Sequence, residues 1–151
     1  FAMDTMRMEK GYVHWGHDMS PEENQYEVGL KFAVSFKKNI DFVGKKAIEK
    51  IKNDKIKKRL EMFVLKNSNP GSPLLLHDEP IYCEGKIVGR TTSGNYSFNY
   101  KKNMSFGYIN LGSKIAELGK KAFFIEVEKK KYEAILLSKP LHDPENKIIK
   151  S

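Results

Sequence analysis

The chain has 151 residues, a formal net charge of +8 and one cysteine. This length supports one well-packed core, or one domain with part of another, and argues against two complete domains. The single cysteine excludes an internal disulfide and a multi-cysteine zinc site, and no apolar run approaches the ~20 residues of a membrane-spanning helix.

Lysine supplies most of the positive charge. Of 27 basic residues, three are arginines, Arg7, Arg59 and Arg90. Nucleic-acid sites favour the bidentate fork of arginine, and the densest basic run, residues 50–59, has no aromatic residue to stack on a base. We therefore expect a solvated lysine-rich surface and no nucleic-acid partner. A basic β-barrel RNA-binding module remains the alternative function from another class.

The first third of the chain carries helix and turn signals. Residues 2–11 mix apolar side chains with good helix formers and end at Gly11, which predicts the last turns of a helix with a glycine C-cap. Because this helix has no visible start, we expect the chain to be a fragment of a longer protein. Ser20 followed by Pro21 predicts a short helical turn. The alternation over 31–37 predicts a strand, and 41–53 reads as an amphipathic helix.

The rest of the chain predicts β-structure. Six short segments rich in β-branched and aromatic residues are separated by turn residues, which indicates a closed or sandwiched antiparallel sheet. The segments are 59–66, 79–85, 86–94, 104–111, 122–129 and 131–138. Tight connections are expected at Glu84-Gly85 and from Lys129 to Lys131. Their alternation predicts core positions at Phe63, Ile87, Phe106, Tyr108, Phe124 and Ile135.

The usual signatures of catalysis are absent from the sequence. It has no phosphate-binding GxxxxGK[ST], no GxGxxG and no GxSxG, so nothing predicts an independent nucleotide site or a serine hydrolase. His14, His17 and Asp18 have spacing that a metal site could use, but we favour histidines at a domain junction and predict no metal site. Cys83 lies in a strand pattern and is predicted to be a small buried hydrophobic residue.

Two polar stretches are candidates for a binding site. Arg7 and Glu9 are two positions apart on the predicted helix, so their side chains should leave it in different directions. The arginine either anchors the fold or meets an anionic ligand. In residues 89–97, hydroxyl side chains precede Gly94, which predicts a β-bulge or a close approach of backbones in preference to ligand contact.

Five segments occur in the order known from one family. RMEKGYVHWGHDMSPEE is followed by YEVGLKF, DFVGKKA, KIVGRTTSGNYS and MSFGYI. Together they resemble the C-terminal portion of the folate-binding glycine cleavage T-protein (aminomethyltransferase) superfamily. EKGY, HWG and the closing KPLHDPENK are most similar to its sarcosine and dimethylglycine dehydrogenase branch. The resemblance implies an α+β chain: residues 1–54 end a folate-binding middle subdomain, and residues 55–151 form an antiparallel β-barrel.

The resemblance also implies a function for the longer protein. The barrel would close a tetrahydrofolate site in an enzyme that oxidatively demethylates an N-methylglycine and passes the one-carbon unit to tetrahydrofolate. FAD and the catalytic aspartate belong to family segments upstream of Phe1, so the fragment alone is expected to be inactive. A fragment of a glycine cleavage aminomethyltransferase is the alternative within the family. The expected compartment is the cytoplasm in a bacterium and the mitochondrial matrix in a eukaryote, with no membrane partner.

Few site residues carry over from the family. Arg7 and Glu9 match its arginine-leucine-glutamate motif, with methionine in place of leucine. Met3 stands where aminomethyltransferases have a further arginine, which weakens the transfer of their glutamate-tail contacts. The resemblance implies that Arg7, Glu9, Tyr12 and Trp15 lie near folate, with no catalytic residue in this chain. We expect residues 6–19 to act mainly as structure, with Trp15 packed where the subdomain meets the barrel.

Overall fold

The fold combines short helices with a closed antiparallel barrel. The computed structural model describes residues 2–38, 40–53, 56–110 and 121–151. Helix α1 spans Ala2–Lys10, a 3₁₀ helix spans Lys31–Ala33, and helix α2 spans Lys45–Asn53. The strands are β1 (Lys58–Leu65), β2 (Pro80–Cys83), β3 (Lys86–Ser97), β4 (Lys102–Asn110), β5 (Phe123–Val127) and β6 (Lys130–Leu137).

Every neighbouring pair in the barrel is antiparallel, and the order around it is β1-β4-β3-β2-β5-β6. The predicted α+β class and closed barrel are therefore confirmed. The subdomain boundary expected between residues 54 and 55 lies outside the described residues. In the parts of the chain that are described, none of the helices has the length and apolar character needed to cross a membrane.

Two-residue turns connect two of the strand pairs. Glu84 and Gly85 join β2 to β3 with φ of 52° and 78°, so the predicted connection is confirmed. Positive φ at both central residues matches the twist of the flanking strands. Glu128 and Lys129 join β5 to β6 with φ of 49° and 63°. The sequence predicts this second connection over Lys129 to Lys131, but β5 ends at Val127 and β6 begins at Lys130, so the turn is Glu128 and Lys129.

The larger apolar cluster has buried members in every described strand except β3, whose partly buried Val88 packs against it. It consists of Phe63, Leu65, Leu75, Ile81, Cys83, Ile109, Phe123, Ile125, Val127 and Ala134. The rings of Phe63 and Phe123 pack edge to face with centroids 5.5 Å apart. Cys83 is a buried free cysteine, as predicted, and burial raises the pKa of its thiol.

Part of the predicted core is wrong. Ile87 is 63% exposed and Ile135 is 43% exposed, and in β5 the buried positions are Phe123, Ile125 and Val127, with Phe124 half-buried on the other face. A shift of one residue moves a whole strand face from core to surface. In the sequence FFIEV both alternating faces begin with phenylalanine, so alternation alone does not identify the inner one.

A second apolar cluster lies against helix α1. It consists of Met8, Leu60, Met62, Val64, Met104 and Phe106, with Tyr108 partly buried at its edge. Leu60, Met62 and Val64 alternate along β1 with the Phe63 and Leu65 of the larger cluster, so β1 is covered on both faces. Phe106 is buried as predicted, but it packs with Met8 in this cluster. Burial of Met8 therefore anchors α1 to the barrel.

The segment before the barrel departs from the expected strand. Residues 31–33 form a 3₁₀ helix, and none of the described residues in 31–37 is in a strand. A lone strand leaves its backbone groups unpaired, and the six described strands close on one another without a free edge to pair it. Helix α2 is confirmed, but it begins after Gly44, so Phe42 and Val43 precede it and are exposed.

Candidate functional site

The end of helix α1 sets the course of the following loop. The Gly11 N–H donates to the Met8 carbonyl at 3.0 Å and the Tyr12 N–H to the Arg7 carbonyl at 2.8 Å, which is a Schellman motif. Gly11 has φ of +77°, and a Cβ at this position would lie 2.5 Å from Pro140 Cγ. The predicted glycine C-cap is confirmed, and the turn directs residues 12–19 back beside α1.

That loop carries a fully buried carboxylate, Asp18. Its Oδ2 accepts hydrogen bonds from Arg7 Nη1 at 2.7 Å and from the His14 N–H at 2.9 Å. Its Oδ1 accepts from Thr92 Oγ1 at 2.6 Å and from Ser93 Oγ at 2.7 Å. A buried charge is tolerated when it is paired and fully hydrogen-bonded, and Asp18 meets both conditions.

Arg7 is held by four acceptors. Besides Asp18, its Nε donates to Asp4 Oδ1 at 3.0 Å, its Nη1 to the Tyr12 carbonyl at 3.1 Å, and its Nη2 to Ser93 Oγ at 2.9 Å. The hydrogen bond from Arg7 lowers the pKa of Asp4. The guanidinium is thus fixed by the loop and the barrel together, which is the anchoring role that the sequence left as one of two alternatives.

The hydroxyl partners come from a bulge in β3. The pairing of β3 with β4 shifts register between Thr91 and Ser93, so Thr92 has no partner in β4. This brings the hydroxyls of Thr92 and Ser93 to one side, where both reach the Asp18 carboxylate. A Cβ on Gly94 would lie 2.5 Å from Leu75 Cβ. The predicted bulge and close approach are both confirmed.

Glu9 occupies a separate polar position on the same helix. Its buried carboxylate accepts hydrogen bonds from Ser97 Oγ and from Asn99 Nδ2, the latter at 2.6 Å. Its backbone carbonyl accepts from the His142 N–H at 2.9 Å. Arg7 and Glu9 therefore have different partners, as their spacing predicts.

The C-terminal segment, after β6, also contacts helix α1. Lys10 Nζ lies 2.8 Å from Asp143 Oδ2, and both side chains are largely buried. The hydrogen bond from Lys10 is the main cause that lowers the pKa of Asp143 to about 2. Tyr100 OH donates to the Leu141 carbonyl at 2.5 Å. The segment after β6 thus fixes the helix that carries Arg7 and Glu9.

A cleft of about 730 Å³ opens between α1 and the barrel. Arg7, Glu9 and Ser93 contribute polar groups to its lining, while Leu74 and Phe98 contribute exposed apolar surface. This volume falls in the range of about 300–1,000 Å³ that is typical of small-molecule sites, and the mixture of apolar walls with a few polar groups is also typical.

Of the four residues predicted to lie near folate, two line the cleft and two do not. Arg7 and Glu9 line the cleft. Tyr12 and Trp15 are 52% and 61% exposed and are not among the cleft residues. Tyr12 contributes its backbone carbonyl, which accepts a hydrogen bond from Arg7. The expectation that Trp15 packs at the junction with the barrel is wrong for the described chain.

The histidine pair at 14 and 17 has a simple geometry. The rings of His14 and His17 stack with centroids 4.6 Å apart, and both line the cleft. Over the described ranges, no group of three or more histidine, cysteine, aspartate or glutamate residues is arranged to hold a metal ion.

Sequence reasoning did not identify Asp18 as the centre of the polar network. Its side-chain partners Arg7, Thr92 and Ser93 lie 11, 74 and 75 positions away.

The RNA-binding alternative depended on exposed aromatic residues along one barrel face. Among the strands that the structure describes, no aromatic side chain is exposed; the exposed phenylalanines, tyrosines and tryptophan lie before β1 or in the β3–β4 connection. The described strands therefore carry no fully exposed aromatic side chain of the kind on which bases stack.

Two family models match the chain. The glycine cleavage T-protein C-terminal barrel domain matches residues 58–143, and the GCVT N-terminal domain matches residues 1–38. The first match covers the six described strands and the chain after β6 as far as Asp143. The second covers α1, the Asp18 loop and the 3₁₀ helix.

Curated relatives include two dehydrogenases of Homo sapiens. Mitochondrial dimethylglycine dehydrogenase is 34% identical over 93% of this chain and 16% of its own length. Mitochondrial sarcosine dehydrogenase is 31% identical over 72% of this chain and 11% of its own length. The chain therefore spans less than a fifth of the length of these relatives.

A solved structure has the same fold. The glycine cleavage system aminomethyltransferase T from Bartonella henselae superposes with a TM-score of 0.79, at 20% identity, over 95% of this chain and 38% of that one. At this identity the likeness concerns the fold.

Proposed function

Since the chain belongs to the glycine cleavage T-protein family, we propose that it closes a tetrahydrofolate site in a one-carbon-transfer enzyme of the sarcosine or dimethylglycine dehydrogenase type. In this proposal residues 1–54 end the folate-binding subdomain and residues 55–151 form the barrel that covers it. The complete enzyme would demethylate an N-methylglycine, with FAD held by other segments. A fragment of an aminomethyltransferase remains the alternative within the family.

The observation that carries the proposal is the cleft between α1 and the barrel. Folate combines a flat heteroaromatic ring, an aminobenzoyl group and polar substituents, and the cleft offers surfaces for both kinds of group. Leu74, Leu76 and Phe98 give apolar walls, and Arg7 and Glu9 give a donor and an acceptor. The size and the chemistry of the lining therefore fit tetrahydrofolate.

The residues of this chain would bind and orient the ligand. Arg7 has its guanidinium fixed by four acceptors and can donate from a constant position. Glu9 is fixed by Ser97 and Asn99, and a carboxylate has lone pairs for further donors. Tyr12 and Trp15, which are exposed in the loop after α1, are proposed as flanking aromatic groups. Bound tetrahydrofolate supplies the acceptor for the one-carbon unit.

The test uses exposed phenylalanines, because their removal should change binding without changing stability. Phe98 is 69% exposed and lines the cleft, whereas Phe32 is 84% exposed and does not. We expect Phe98→Ala to weaken tetrahydrofolate binding about tenfold, ~1.4 kcal/mol, which is the scale of a lost aromatic contact. Phe32→Ala should bind as the unmodified chain does. Both variants should unfold within ~0.5 kcal/mol of it.

Isothermal titration calorimetry with tetrahydrofolate, under reducing conditions, measures the affinities. Equal affinity of the Phe98 and Phe32 variants would show that the ligand does not use this cleft. Failure of the unmodified chain to bind tetrahydrofolate would contradict a folate site in these residues.

A further inference from the structure

We infer that Asp18 is a positioning residue for Arg7, which holds the guanidinium in one orientation at the wall of the cleft. The inference rests on the proposed function of that cleft as a ligand site. Asp18 is fully buried and is not among the residues that line this cleft, so it acts on a ligand bound there through the arginine.

The first step of the argument is the geometry around the guanidinium. Asp18 Oδ2 accepts from Arg7 Nη1, and Ser93 Oγ accepts from Arg7 Nη2 while donating to Asp18 Oδ1. Arg7, Ser93 and Asp18 thus form a closed ring of hydrogen bonds. Rotation of the guanidinium about its Nε–Cζ bond would break bonds at both terminal nitrogens at once.

The second step is the rigidity of the carboxylate itself. Asp18 receives donors from three parts of the chain: Arg7 on α1, the His14 N–H in the loop, and the hydroxyls of Thr92 and Ser93 on β3. A further bond fixes its backbone, because Tyr108 OH donates to the Asp18 carbonyl at 2.7 Å. Side chains locked by surrounding contacts are what a preorganised site requires.

The third step concerns charge. Two carboxylates, Asp4 and Asp18, contact the single positive charge of Arg7. The ion pair with Asp18 is shielded from water, so it neutralises the arginine more strongly than the half-exposed Asp4 does. Arg7 therefore acts mainly as a hydrogen-bond donor of fixed orientation, and its positive charge attracts anions only weakly. A ligand oxygen, such as an amide carbonyl, suits such a donor.

The experiment follows the Arg7 guanidinium by ¹⁵N NMR of the whole chain. The chain has three arginines, so an Arg7→Lys variant identifies the Arg7 signals. In the unmodified chain we expect separate Nη1 and Nη2 signals, because rotation is hindered. In Asp18→Asn we expect these signals to merge through faster rotation, by at least tenfold in rate.

A matched control removes a different carboxylate that holds the same helix. Asp143→Asn breaks the ion pair with Lys10 and does not touch Arg7. It should leave the Arg7 signals separate and the tetrahydrofolate affinity within twofold of the unmodified chain. Asp18→Asn should lower that affinity at least tenfold. A general loosening of α1 would instead change both variants alike, and that result would overturn the inference.

A second variant covers the case in which Asp18→Asn does not fold. Ser93→Ala removes the hydroxyl that bridges Arg7 and Asp18 and leaves the ion pair in place. It should raise the rotation rate at least threefold. Unchanged Arg7 signals in a folded Asp18→Asn chain, or in Ser93→Ala when the first does not fold, would overturn the inference. A lack of tetrahydrofolate binding by the unmodified chain contradicts the proposed function alone, since the NMR comparison needs no ligand.

Discussion

Replacement of Phe123 by alanine tests which face of β5 lies inside the barrel. Phe123 is fully buried and packs edge to face on Phe63 at 5.5 Å. Truncating a buried phenylalanine typically costs ~3–5 kcal/mol, because transfer free energy is lost and a cavity remains. Phe124, next in the chain, is half-buried on the opposite face. Its truncation should cost about 1 kcal/mol, in proportion to the smaller area removed from water.

Urea denaturation followed by far-UV circular dichroism measures both variants against the unmodified chain. We expect a clear drop in the midpoint for Phe123→Ala, a small drop for Phe124→Ala, and similar slopes for all three proteins. In thermal unfolding the first change corresponds to a fall of roughly 10 °C or more. If Phe124→Ala were as destabilising as Phe123→Ala, the assignment of the inner face would be refuted.

Two further predictions concern the attachment of α1. Gly11→Ala should lower the free energy of unfolding by ~2 kcal/mol or more, because Gly11 has φ of +77° and an added Cβ would meet Pro140. Gly85→Ala, with φ of +78° and open space around it, should lower it by only about 1 kcal/mol, the cost of the backbone strain. Equal urea midpoints for the two variants would refute the contact with Pro140. The Lys10–Asp143 ion pair should stabilise the chain fully above pH 3.8, the ordinary pKa of aspartate, and the contribution should be lost as the pH falls toward about 2. Urea titrations between pH 5 and pH 2 should therefore show a smaller acid-induced loss for Asp143→Asn than for the unmodified chain, and parallel pH profiles would contradict this origin.

Local signals in the sequence were sufficient to place most elements. The glycine that ends α1 and the Glu84-Gly85 turn have backbone requirements that few residues meet, so they mark their positions directly. The strands follow from runs of β-branched and aromatic residues. Gly94 likewise marked a close approach of backbones, and the structure shows that a side chain there would collide with Leu75.

Features that depend on contacts between residues far apart in the sequence could not be predicted from local signals. The inner face of β5 is decided by neighbours such as Cys83 and Ala134, which pair with Phe123 from other strands. The strand expected over 31–37 had suitable alternation and no partner. The burial of Asp18 depends on β3 residues more than 70 positions away. The sequence identified Arg7 and Glu9 as candidate site residues, but it did not predict the hydrogen bonds that hold them in place.

The order of strands in the barrel has a consequence for how the chain folds. β2 with β3, β3 with β4, and β5 with β6 are neighbours in sequence, so these hairpins can form from local encounters. β1 has no such neighbour: Phe63 pairs with Ser105 on one side and with Leu136, 73 positions later, on the other. From loop closure of this length we expect β1 to join the barrel late and folding to be slow, in the millisecond-to-second range typical of barrels. Because Met8 packs on β1 and β4 together, we expect helix α1 to dock after that closure and the cleft to form in the final stage of folding.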